Sequence, residues 1–295
     1  MTKRLLDFKN TPVQTLSLTE LQETIDERNI GGNPISGVVH YVLFQRINDI
    51  LEQAKLKFEM GPIYATSGGP SAFPGVTKLP VLEEKFGEGA LQAHLLRRMI
   101  TSFVIKKGET DDTAQSIAVA YHQQGIQVAF GPLVKICSNQ CIYGAKNRHQ
   151  TFGDNKLNIE TLLQVISDWL FNYDELRKRD LNILANMKKI ILDYHNVCDI
   201  IGELNLYRVA KDTLRLRPEY ILQQNQIGEL SEAYLKFLIA EDNTLNYGKG
   251  LTVYEFYNMC TEMYKPEHTD LPNIIGRNHL LGDYLIEKFE LAEKE

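Results

Sequence analysis

IQVAFGPLVKICSNQCIYG, residues 126–144, reads as two apolar strand segments joined through Gly131-Pro132 and closed by a polar knot at Cys137, Ser138 and Asn139. Two more strand-like runs lie just upstream, at 94–106 and 115–123, and residues 126–137 make the third. KKGETDD (106–112) supplies a turn between the first two, and Gln124-Gly125 one between the second and third. Closely spaced strand runs bounded by turn residues are most economically an antiparallel meander.

Upstream of the meander, KLKFEM (55–60) alternates polar and apolar, the period of a half-buried strand. Val38, Val39, Val42, Leu43, Ile47, Ile50 and Leu51 recur at helical spacing and predict an amphipathic helix to about Ala54. SGGPSAFPG (67–75) is a loop by composition. Ser17 and Glu20 match a capping box and predict a short helix to about Arg28, before Gly31-Gly32-Asn33-Pro34 breaks the chain.

Downstream the period changes. Leu162, Ile166, Trp169, Tyr173, Leu176, Ile183, Met187, Ile190, Tyr194, Val197 and Ile201 follow steps of four and three, interrupted in register by Asp180. Such a seam predicts one long helix of about 60 Å, or a helical hairpin bent near Arg179-Asp180. Shorter helices follow near 219–226, 229–241, 252–264 and 273–292, punctuated by Gly228, Gly248, Gly250, Pro266 and Pro272. The expected architecture is α+β: a small antiparallel β-meander with a long helix packed across it, followed by a helical C-terminal region. Its divisions are an N-terminal arm (1–34), an α/β core (35–156) and a helical region (157–295).

Composition narrows the function classes. The chain has 295 residues, 43% apolar and 24% charged, with net charge −6 and pI near 5.7. That is ordinary for a soluble protein and unlike a globally basic nucleic-acid binder. Four scattered cysteines do not make a disulfide framework. MTKRLLDFK is not followed by an apolar signal-peptide segment, and no window of 18 apolar residues exists. The expectation is a cytoplasmic protein that does not enter a membrane.

Catalytic and metal chemistry find little support. Cys137 and Cys141, with His149 as a third donor, would share a face of an extended segment, but no second pair completes a four-ligand set. Cys198 and Cys260 fall on helical seams and read as small core residues. Glu109, Asp111 and Asp112 at a hairpin tip read as a solvated turn. There is no Gly-x-Ser-x-Gly elbow, no P-loop and no dinucleotide fingerprint. The expectation is a non-enzyme that requires no cofactor.

Charge is unevenly spread. Residues 94–156 hold eight basic and four acidic residues, a local net of +4 that leaves −10 for the remainder. Arg97, Arg98, Lys106, Lys107, Lys135, Lys146 and Arg148 are candidates for phosphate contact. Tyr121, Tyr143 and Phe152 are candidates for stacking on bases, the combination that single-strand binding uses. Against this stands the ordinary reading, in which strand aromatics belong to the core.

Four segments together resemble an uncharacterised family of phage- and plasmid-borne proteins, a domain of unknown function. GALQAHLLRR (89–98) is similar to its entry into the central sheet, AVAYHQQGIQVAFG (118–131) and VKICSNQCIYG (134–144) to its core signature, and YEFYNMCTE (254–262) to its C-terminal motif. The likeness covers about residues 85–290, with Asn139-Gln140 where the family often carries Asn-Gly or Asn-Met. It implies a mobile-element origin and carries over no catalytic residue. Three antiparallel strands followed by a long helix is also the core order of the single-strand annealing proteins of phage recombination, a likeness of topology alone. The leading expectation is a phage or mobile-element protein that binds single-stranded DNA and promotes annealing or recombination as a homo-oligomer. The alternative is an oligomeric protein-interaction module that binds a host protein and has no nucleic-acid role.

Overall fold

The computed structural model describes residues 6, 13–24, 26, 37–66, 84, 87, 98–122, 125–134, 149–153, 159–210, 221–240, 243–264 and 274–292. The expected meander is its centre. Strands β4 (Arg98–Ile105), β5 (Thr113–His122) and β6 (Gly125–Val134) pair antiparallel in sequence order. The second hairpin closes at the His122–Gly125 pair, where Gly125 takes φ +138°, a conformation closed to most side chains.

Four shorter strands widen the sheet to seven. β1 (Val13–Leu16) pairs with β3 (Ile63–Thr66), and β7 (His149–Gly153) pairs with β6. β2 (Phe58–Met60) and β3 share one edge of β4, β2 beside Phe103 and Ile105, β3 beside Met99 and Ile100. Among the described residues every pairing is antiparallel, and the molecule is α+β as the sequence implies.

Helices cover both sheet faces. On one side Ile117, Val119 and Tyr121 of β5, with Phe103 and Phe130 beside them, pack against α2 (His40–Gln53) and α3 (Ile159–Phe171). On the other, Ile100, Ala118, Ala120 and Ala129 meet a core built from α4 (Tyr173–Met187), α5 (Tyr194–Ala210), α6 (Gln224–Leu238), α7 (Val253–Glu262) and α8 (Ile274–Lys288). The small side chains of this second face let helices approach closely, and the large ones of the first fill the wider gap. All ten residues of β5 are buried, the signature of a strand covered twice.

The single long helix of the sequence reading is not present. The chain breaks at Asn172 between α3 and α4, and again at β8 (Ile191–Leu192) before α5. Leu162, Ile166 and Trp169 belong to the core on one side of the sheet, and Ile183 and Met187 to the core on the other. Between them the chain rounds the β4–β5 turn, where the Tyr173 hydroxyl donates to the Lys107 carbonyl and Arg177 Nη2 to that of Gly108 at 2.6 Å. Each helix keeps its own apolar stripe, and steps of three and four run on across the break. The seam is therefore filled within one chain. Asp180, the residue that interrupts it, is fully buried and accepts from Gln115 Nε2 at 3.0 Å.

Other boundaries also differ. The capping box at Ser17 is formed, with Glu20 N–H donating to Ser17 Oγ and Ser17 N–H to Glu20 Oε2, but α1 (Leu18–Glu23) ends well short of Arg28. The helices expected near 219–226 and 229–241 give way to α6, which begins at Gln224. Among the described residues, no helix is long and apolar enough to cross a membrane.

Candidate functional site

The residues singled out for DNA contact do not share a surface. Tyr121 is fully buried, edge-on to His40 at 5.9 Å, and its hydroxyl donates to the Val38 carbonyl at 2.9 Å. Phe152 is buried in the same core. Both rings lie beneath α2 and α3, so neither offers a face to a base. Arg98 is 6% exposed, paired across the strands with His122 on the face that the helical half covers.

Lys106 is half-buried and Lys107 exposed, and both are occupied. Lys106 Nζ lies 2.8 Å from Glu59 and 3.3 Å from Glu109, and the Glu59 carboxylate leads in holding its ammonium above the usual lysine range. Lys107 Nζ lies 2.8 Å from Asp174 and 5.2 Å from the centre of the Tyr173 ring. Arg97, Lys135, Tyr143, Lys146 and Arg148 lie outside the described residues, as do Cys137 and Cys141. The acidic turn is paired: Glu109 takes Lys106, and Asp112 takes Lys188 at 3.5 Å. Cys198, expected in the core, is exposed on α5, whereas Cys260 is buried.

A different surface stands out. On α6 the stripe Gln226, Leu230, Tyr234 and Leu238 is buried, which turns Leu235 outward, and Ile239 caps the helix. The chain then reverses: Ile239 bridges Leu245, Asn243 takes φ +62°, and Asn246 N–H donates to the Leu238 carbonyl at 2.9 Å. This carries Tyr247 onto the first turn of α5, where its ring meets Tyr194 edge-on at 4.9 Å. Lys249 Nζ sits 4.0 Å over Phe237 and donates to that residue's carbonyl at 2.7 Å. A Cβ on Gly250 would stand 2.6 Å from Ile191 Cγ2, so a side chain there would displace Ile191 where β8 pairs with β9 (Leu251–Thr252).

Comparison with protein-family models, curated proteins and solved structures finds no match.

Ile191, Leu235, Ile239, Leu245 and Tyr247 are 39–62% exposed. These five large apolar side chains lie on α6, the turn after it and β8, with Ile239 and Leu245 bridged, and exposed apolar surface of this kind marks an interaction site. The charges around it are mixed: α6 carries Glu229, Glu232 and Lys236, Lys249 sits over Phe237, and Lys189, Asp193 and Asp199 lie along the β8–α5 side. Beneath it Tyr194, Tyr234 and Phe237 stack at 6.2–6.4 Å and make a rigid aromatic floor. The sequence signal for this patch was weak: Leu235 and Ile239 read as one more turn of an amphipathic helix until the buried stripe is known.

Proposed function

We propose that the protein is an oligomeric protein-interaction module, and that the patch of Ile191, Leu235, Ile239, Leu245 and Tyr247 is where a second copy docks. The observation that carries this reading is the exposure of those side chains over an ordered aromatic floor. The resemblance to phage- and plasmid-borne proteins supports a role in a mobile element. Light scattering across a concentration series tests the assembly. The wild-type chain is expected to dimerise and the Leu235→Lys/Tyr247→Ser double variant to stay monomeric with its thermal unfolding largely preserved. A wild-type chain that is monomeric throughout overturns the dimer and leaves a host protein as the occupant.

A second reading, single-strand DNA binding, rests on the local net charge of +4 in residues 94–156. Its remaining cations, Arg97, Lys135, Lys146 and Arg148, would have to act without the sheet's aromatics. Anisotropy of a labelled single-stranded oligonucleotide across a salt series tests it. Binding that weakens steeply with salt supports this reading, and no binding at low salt removes it.

A further inference from the structure

A cleft of about 520 Å³ opens where α2 and α3 end, α4 begins and the β4–β5 turn passes. Its size is that of a small-molecule site. Ile50, Ala54, Leu56 and Leu170 give it an apolar lining, and Phe171 stands beside it 90% exposed. Such exposure of a phenylalanine ring leaves an aromatic face for a ligand to cover.

The polar end of the cleft already holds an ammonium. Lys107 Nζ lies 2.8 Å from Asp174 Oδ2 and 5.2 Å from the Tyr173 ring centre, the pairing of carboxylate and aromatic face that recognises organic cations. The Tyr173 hydroxyl is tied to the Lys107 carbonyl, which fixes the ring, and burial pushes its pKa up to about 12, so the phenol stays neutral. Neither α2 nor α3 has a basic residue in its last turn, and residues of both C-terminal turns line the cleft. Two other cations stand near this end, Lys55, exposed one residue past the α2 C-cap, and Arg177, which donates to the Gly108 carbonyl. Lys107 is half exposed and can swing into water without a new partner.

We propose that this cleft binds an organic ammonium with an apolar body, and that Lys107 is its tethered stand-in. The ligand's ammonium replaces that of Lys107 between Asp174 and Tyr173, and its hydrocarbon covers Phe171 and Leu170. The inference is independent of the dimer patch, which lies on other elements. Its source is a free amine or a lysine side chain of a partner polypeptide.

The experiment is an amide chemical-shift titration of the full chain with hexylammonium, and with hexanol as the neutral counterpart. Hexylammonium is expected to shift Ser167, Phe171 and Tyr173 and to bind about tenfold more tightly than hexanol. Lys107→Met, which removes the competing amine and keeps the hydrocarbon, should tighten binding about threefold, and Asp174→Asn should weaken it about fivefold. Both side chains are surface-exposed, so the variants keep their fold. A capped Leu-Lys-Leu peptide separates the sources: tighter binding than hexylammonium assigns the site to a polypeptide, and weaker binding to a free amine. Equal affinity for hexanol, or weaker amine binding by Lys107→Met, overturns the proposal.

Discussion

Two cysteines at similar-looking helical positions meet opposite fates. Cys260 lies in the core, where burial pushes its thiol well above the usual range and keeps it unreactive. Cys198 faces solvent on α5 beside Tyr194. Native-state alkylation read by mass spectrometry is expected to modify Cys198 and to reach Cys260 only after unfolding. Glu203 shows a second residue-scale balance. Burial favours its neutral form, but hydrogen bonds from Lys288, at 2.7 Å, and from the Tyr284 hydroxyl outweigh it and lower the pKa. A carboxylate with a lowered folded pKa contributes stability that is present above the unfolded value of about 4.3 and is lost as pH falls through the folded one. Urea unfolding between pH 3 and 7 should show that acid loss in the wild type and a flatter profile in Glu203→Gln.

At the scale of elements, the stretch from Leu162 to Ile201 carries the main lesson. Its three-and-four spacing was legible as helix, but the breaks at Asn172 and around β8 were not. Periodicity records which residues of a helix are buried and does not say against what, so two helices on opposite faces of one sheet produce the same pattern as one long rod. Trp169 packs on Phe130 at 6.0 Å and Met187 lies in the opposite core. Each is intramolecular, so replacing either should destabilise the monomer rather than dissociate an assembly. Trp169→Ala is expected to cost about 3–5 kcal/mol and Met187→Ala about 2–5 kcal/mol in urea unfolding, with no change in oligomeric state before the transition. The α1 capping box, by contrast, was readable from Ser17–Glu20 and is set by local hydrogen bonds alone.

For the whole molecule, the decisive fact is that the sheet has no open face where β5 runs. Ile117, Ala118, Val119, Ala120 and Tyr121 are an unbroken apolar run, the pattern of a strand covered on both sides. Burial on that scale removes Tyr121 and Phe152 from any ligand and moves attention to the outer surface of the helical half. If the patch of Leu235 and Tyr247 joins two copies mainly by apolar burial, the dimer seen by light scattering should change little between low and moderate salt, unlike an oligonucleotide complex. By itself the sequence determined the meander, its two turns, the helical second half and the apolar stripes of α2 and of the 162–201 stretch, because these depend on neighbours within a few residues. Only the tertiary structure decided which face each stripe covers, where the long seam breaks, that Asp180 is buried and Cys198 is not, and which side chains remain outside. Those outcomes depend on contacts between segments far apart in the chain, which no local spacing encodes.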